Sequence, residues 1–346
     1  MHLKVFTRKD WLPASKKHTI FLYPYWGEVP LPPDDPDQGR FDRWMQMGSE
    51  VYSITSDEKD ADIFLLPYEF DFNQTTLTHA QELSKLAEGF GKKLMIFFIN
   101  DDASPIPVPN SLVFRTSIYA SKKEPHVHAI PGWSVDFEEH YRKLLKAEPE
   151  PTTLPSISYC GYVDYLDFRS HVKESGFKAA LHEQLTGRKK ELTGIRLRGM
   201  AVRALLRDKR VRTGFIIRTG FWGGSLSNKN QARTEYALNM LSSEYTLVMR
   251  GAGNFSYRLY EALSCGRIPL FINTDCSLPF EEFVDWRSHF VWIESESCNK
   301  IGERLQAFHA KQGREGVLKF SKDARQLYEE WLSPVGFFSN IYRYIH

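Results

Sequence analysis

The sequence predicts an α/β protein built as two Rossmann-like, doubly wound domains in tandem that face a central cleft. Three observations predict it. Short β-rich apolar runs alternate with stretches of helical spacing, the grammar of a parallel sheet covered by helices. A proline-rich break, KAEPEPTTLPS at residues 146–156, interrupts that grammar. The same alternation then restarts, and 346 residues is enough chain for two cores of ordinary size.

In the first domain, residues 1–150, the runs HTIFLYPYW, ADIFLLP, KLMIFFIN and SLVFRTS read as buried strands, and TLTHAQELSKLAEGF between two of them has helical periodicity. In the second, residues 151–325, ISYCGYV, TGFIIR, YTLVMR, IPLFIN and HFVWIE are the strand runs, with the helical stretch NKNQARTEYALNMLSS among them. From Val317 the chain turns helical, FSKDARQLYEEWLS and then PVGFFSNIYRYI, so residues 326–346 are expected to pack back across the linker onto the first domain.

Composition narrows the function classes. Hydrophobic residues at 42% and charged residues at 25% are the balance of a globular chain. A net charge of +2, from 45 basic and 43 acidic residues, leaves no global field to collect nucleic acid or an anionic membrane. The 24 Phe, 16 Tyr and 8 Trp fill cores and also suit surfaces that stack on sugar rings. The cysteines at 160, 265, 276 and 298 lack Cys-x-x-Cys pairing and zinc spacing, and read as reduced, buried thiols. No apolar run reaches the length of a signal peptide or of the ~18 residues that span a membrane, so the expectation is a cytoplasmic enzyme.

The richest pattern is YTLVMRGAGNFSYRLYEALSCGRIPLFIN: strand, glycine loop, short helix closed by Gly266, strand. Gly251 and Gly253 permit close backbone approach, and the free N–H groups near Ser256 suit a phosphate. Arg258 and Glu261 share a helical face. Glu261 lies roughly 7 Å along the axis from the helix start, about the span from a diphosphate to ribose hydroxyls. An arginine for phosphate and a carboxylate for two vicinal hydroxyls make a donor clamp. Arg218 and Arg250, each ending a strand before glycines, are placed to reach the same diphosphate, and Asn254 and Ser256 to serve the phosphate or cap the helix. The competing dinucleotide fingerprint begins with Gly251-Ala252-Gly253 but has Ser256 where its third glycine belongs.

Residues 250–286 resemble the exostosin family of glycosyltransferases through Ser256, Arg258, Glu261, Ala262, Leu263, Gly266, Ile268, Pro269, Pro279, Phe280, Asp285 and Trp286. Weaker similarity extends to ADIFLLP, to FFINDD and to FIIRTGFWGG, which resembles a segment entering the donor site of bacterial members. The resemblance implies a GT-B type fold and an inverting transfer from a nucleotide sugar, UDP-linked with guanine as the alternative base, to a glycan hydroxyl. It implies no obligatory metal, and a place in polysaccharide synthesis. Rival readings on the same scaffold are a nucleotide-sugar hydrolase or epimerase, or an inactive glycan-binding or scaffolding subunit.

Inverting transfer needs a base to take the acceptor proton. Asp101 and Asp102 after KLMIFFIN, and Glu28 after Trp26, are the candidates from the first domain, and the sequence does not choose among them. Asp35-Pro36-Asp37 spells Asp-x-Asp but sits in a proline-rich loop far in sequence from the clamp, where turn chemistry accounts for it. His126 and His128 form His-x-His without a third ligand nearby.

Overall fold

The computed structural model describes residues 2–147, 149, 153–163, 194–218, 220 and 229–345. Six parallel strands form the first sheet: β1 (Leu3–Phe6), β2 (Tyr52–Thr55), β3 (Ile63–Leu65), β4 (Leu94–Phe98), β5 (Ser111–Arg115) and β6 (Val127–Ala129), in the order β2-β1-β3-β4-β5-β6. The second sheet holds β7 (Ser156–Tyr162), β8 (Arg212–Arg218), β9 (Tyr245–Val248), β10 (Ile268–Asn273) and β11 (Val291–Glu294). Its order is β11-β10-β9-β7-β8, again parallel. The expected architecture of two parallel-sheet α/β domains is therefore the observed one.

Sheets buried on both faces need uninterrupted apolar strands. β4 is buried at all five positions and β9 at all four, which is why KLMIFFIN and YTLVMR were legible. Helix α1 (Asp42–Val51) leads into β2, and α2 (Gln74–Gly89) crosses between β3 and β4 with Asn73 as its N-cap, the side chain accepting from the Thr75 N–H.

The first strand is a correction. HTIFLYPYW forms a 3-10 turn at Ile20–Leu22 and a single helical turn at Tyr23–Trp26, with Pro24 in the first turn. Proline has no N–H for a ladder and fits a helix start. The sheet uses LKVF and YSIT instead, four-residue strands too short to announce themselves. The apolar run is real but serves a different purpose: Phe21 stacks on Tyr52 at 4.2 Å between ring centroids and lies edge-on to Phe338 at 5.2 Å.

Phe338 comes from the C-terminal end. A long helix (Ile301–Leu327), bent at Gly313 where φ is 60°, leads through a π turn (Tyr328–Leu332) into the short helix Pro334–Asn340. This last helix packs on α1, with Phe338 centred 4.5 Å from Trp44 and 5.3 Å from Trp133, while the Trp133 indole donates to Leu332 O. One aromatic core thus includes residues from both halves of the chain. Phe338→Ala should lower unfolding free energy by about 3–5 kcal/mol, because a large core ring leaves a cavity that its neighbours cannot close. Urea denaturation checks this, and a loss under about 1 kcal/mol would show that the C-terminal helix is not integral to the core.

Candidate functional site

In the second sheet β7 pairs with β8 on one side and β9 on the other. Loops leaving the carboxyl ends of strands at such a reversal open a crevice, the usual ligand position in a doubly wound sheet. A cleft of about 910 Å³ lies there, walled on one side by the second domain and on the other by Asp35, Asp37, Arg40, Asp101 and Ser134 of the first. Of the expected donor residues, Arg250, Gly251, Ser256, Arg258 and Glu261 line it.

After α3 (Phe137–Tyr141) and α4 (Gly194–Arg207), two helices of the second domain position the polar groups: α5 (Lys229–Leu241) and α6 (Tyr257–Ser264). Glu261, on α6, is 4% exposed. Its Oε1 accepts from Ser134 Oγ at 2.7 Å and Arg233 Nη1 at 2.8 Å, and its Oε2 accepts from Tyr236 OH at 2.5 Å. Burial pushes its pKa up, but Arg233, Tyr236 and Ser134 outweigh burial and hold the carboxyl below its ordinary value. A carboxylate offers about four lone-pair sites, so three bonds leave room for one further hydroxyl, not two. The expectation that Glu261 accepts both ribose hydroxyls does not fit these partners.

Arg233 was missed by sequence reasoning. It sits between Glu261 and Asp37, its Nη2 donating to Asp37 Oδ1 at 2.8 Å, and its side chain is 10% exposed. Burial opposes its charge, yet the two carboxylates raise its pKa overall. The signal was present: Arg233 and Tyr236 are three apart on a recognised helix, hence on one face. Tyr236 OH also accepts from Arg258 Nε at 3.2 Å, and Arg258 Nη2 donates to Cys160 O at 2.7 Å while its guanidinium lies 4.5 Å above the Tyr159 ring.

Arg198 on α4 is the other residue the sequence did not single out. It lines the cleft beside Arg258 and donates to Tyr162 O at 3.2 Å. Among the described residues it has no carboxylate partner. Its pKa is pushed below the usual arginine value first by burial, with the Arg258 cation acting in the same direction against Tyr159 and Tyr162. Two half-buried guanidiniums side by side, one of them without a carboxylate partner among the described residues, can hold an anion.

The remaining expected residues divide. Ser256 is the N-cap of α6 but its side chain makes no capping bond, so the N–H groups of the first turn lack that partner at a helix start whose residues Ser256, Tyr257 and Arg258 line the cleft. Arg250 donates to Tyr119 OH and Ala252 O at the cleft edge. Arg218 lies beside the cleft, bonded to Ala232 O and Glu235, where it borders a smaller cavity of about 200 Å³ shared with Arg198 and Arg258. The rest of its glycine segment, Thr219 and residues 221–228, lies outside the described residues.

Asn254 is turned away from the cleft. Its Nδ2 donates to Ile118 O and Asp275 O and its Oδ1 accepts from Thr274, so its side chain ties the two domains together. Gly253 also serves the domain contact: a Cβ there would stand 2.6 Å from Asp101 Oδ1 and 2.9 Å from Asp101 Cα. The close approach expected at this glycine is to the other domain's backbone. Gly251 has open space, with its nearest prospective neighbour 3.6 Å away at Phe255 O.

Of the three base candidates, Asp101 lines the cleft. Asp102 is exposed and folded into a turn, accepting from Ser104 N at 2.7 Å, and Ser104 holds its pKa low. Glu28 is half-buried beyond the cleft wall, its pKa raised by burial and then by Asp42, with Arg40 pulling the other way. Asp35 and Asp37 do make the expected turn, Asp37 N donating to Asp35 Oδ1 at 2.9 Å, but the loop folds onto the clamp that sequence distance seemed to separate it from. His128 is buried and stacked on Tyr344 at 3.9 Å, its pKa lowered to about 4 chiefly by burial, while His126 sits near Glu124. Three of the four free cysteines are buried and Cys276 is half-buried.

Residues 208–308 match the exostosin GT47 domain. The motif residues from Arg250 to Trp286 lie within that span, and so do Arg218, Arg233 and Tyr236. An exostosin-1 homologue of Caenorhabditis elegans is 30% identical over 108 residues, covering 31% of this chain and 27% of that protein. Exostosin-1 of Drosophila melanogaster is 25% identical over 108 residues, or 31% of this chain and 14% of that one. The match thus spans little more than a quarter of these relatives at most. Among solved structures, the crystal structure of TarM overlaps 78% of this chain and 58% of its own at 10% identity and a TM-score of 0.33. WaaG, described as a glycosyltransferase involved in lipopolysaccharide biosynthesis, overlaps 84% and 87% at 9% identity and a TM-score of 0.35. At those scores the architecture rests on the strands described above. No described helix is long and apolar enough to cross a membrane.

The Glu261 partners set a stability test. Removing one member of a buried pair costs about 3–5 kcal/mol, and here the lower end applies because Asp37 still neutralises Arg233. Because the native Glu261 pKa is depressed, the pair's contribution is present above the unfolded value of about 4.3 and disappears as pH falls through the native value. Glu261→Gln should therefore be about 3 kcal/mol less stable at neutral pH in urea unfolding, with the gap narrowing in acid. Equal stability at neutral pH would contradict the buried ion pair.

Proposed function

We propose that the chain is an inverting glycosyltransferase that holds a nucleoside-diphosphate sugar, UDP-linked, against the second domain and passes the sugar to a glycan hydroxyl in polysaccharide or glycan synthesis. The observation that carries this reading is the Arg198–Arg258 pair at the β7/β9 reversal, within and beside the exostosin GT47 match. A diphosphate supplies the missing negative charge. The uncapped start of α6 adds N–H donors to it, and Arg250 stands at its edge. Glu261, already holding Arg233 and Tyr236, takes one ribose hydroxyl and keeps these side chains in register.

In the transfer, the acceptor oxygen attacks the anomeric carbon from the face opposite the leaving group. Its proton passes to a carboxylate of the first domain, a role assigned to Asp101 because it lines the cleft. The bond from the anomeric carbon to the phosphate oxygen breaks, and the electron pair leaves with the nucleoside diphosphate. The charge that develops on that leaving group is stabilised by Arg198 and Arg258, which act most strongly when the bond is breaking. With arginines and a helix terminus in this role, no obligatory metal is required, and transfer should survive EDTA. Abolition by EDTA with restoration by manganese would overturn that part.

Arg198→Met separates binding from folding. A half-buried cation with no carboxylate partner among the described residues weakens the empty protein, so its removal should leave stability unchanged or raised. The lost charge-assisted bond, worth about 1.5–3 kcal/mol, should weaken UDP binding by about ten- to a hundredfold in calorimetry. Lower stability with unchanged UDP affinity would make Arg198 part of the scaffold and remove the main support for a donor site here.

A further inference from the structure

The two walls of the cleft carry opposite charge. Among the described lining residues, the second domain contributes four guanidiniums, Arg198, Arg233, Arg250 and Arg258, against one carboxylate, Glu261. The first domain contributes three carboxylates, Asp35, Asp37 and Asp101, against one guanidinium, Arg40. Arg40 is answered in part by Glu28 and Glu69: burial pushes the pKa of each up, and Arg40, within electrostatic reach of both, pulls the other way. Glu69 follows β3, is half-buried, and also reaches the phenol of Tyr257 on the cleft wall, as do Arg40, Asp37 and Glu261. Nothing in the sequence singles out Glu69, which lies four residues beyond the end of β3.

From this division we infer the chemical class of the acceptor: a glycan whose receiving end is uncharged or bears an amine, with uronate and sulfated ends excluded. The inference rests on the donor reading above, since it takes the arginine wall as occupied by the diphosphate. Once that wall is neutralised, and with Asp37 already paired to Arg233, the described carboxylates left to set the field in the rest of the cleft are Asp35 and Asp101. An anionic ring placed there meets like charge in a partly desolvated space, where the interaction is stronger than in bulk water. A neutral ring offers hydroxyl donors to the same carboxylate oxygens, and an ammonium adds attraction. Exclusion by like charge is a specificity device that needs no shape change.

The test uses the full chain saturated with UDP, whose binding is measured first. Three oligosaccharide classes of matched length are then titrated: neutral hexose and N-acetylhexosamine oligomers, chitosan oligomers carrying free amines, and oligogalacturonates. The neutral or amine-bearing class should bind at least tenfold more tightly than the uronates. In the double variant Asp35→Asn, Glu69→Gln that gap should narrow through stronger uronate binding, with UDP affinity unchanged. Uronates binding as tightly as neutral oligomers, a gap that persists unchanged in the variant, or binding by none of the three classes would each overturn the inference. Failure of the wild-type chain to bind UDP at all is a separate result, and it would instead overturn the donor reading.

Discussion

Arg233 is the residue on which the cleft depends. A guanidinium buried this deeply persists only if its charge is answered, and it is answered from both domains at once, by Asp37 of the first and Glu261 of the second. The consequences spread outward. Glu261, fixed by Arg233 and Ser134, orients Tyr236, and Tyr236 in turn supports Arg258. The loop that carries Asp37 is drawn over the cleft, with Asp34 meeting Lys229 at the other end of its contact. One ion triad therefore holds the domains at a particular separation and presents the arginine beside it.

Other contacts reinforce that separation without entering the cleft. Asn254 bridges Ile118 and Asp275, and Gly253 lets the chain run against Asp101 where any side chain would force the domains apart. The glycine loop after β9 thus has two faces. Gly251 and Ser256 are open to a ligand, and Gly253 and Asn254 belong to the domain contact. A single motif can position a ligand and set the geometry of the domain opposite because its residues alternate between these duties.

How much of this was legible follows from the range of each interaction. The strand, loop and helix between Tyr245 and Asn273 were readable because they depend on local periodicity and on a left-handed residue, Gly266 at φ 63°, that ends the helix. Buried parallel strands such as β4 were readable from their apolar runs. HTIFLYPYW was misread because burial against a helix some 300 residues later in the chain leaves the same apolar signature as burial in a sheet. Arg198 and Glu69 carry no signal of their own, and the helical spacing of Arg233 and Tyr236 shows only a shared face: each is an ordinary polar residue on or beside an element, and its significance comes from what another domain or helix brings to it. The nearness of Asp35 and Asp37 to Glu261 is likewise a property of the folded chain alone.

The central claim is that Arg198 and Arg258 in the cleft hold a diphosphate. Calorimetric titration of UDP against uridine measures it most directly, because the two ligands share base and ribose and differ in the phosphates. The account predicts that UDP binds at least about a hundredfold more tightly than uridine, two charge-assisted contacts of about 1.5 kcal/mol each being enough. Equal affinities for UDP and uridine would contradict it.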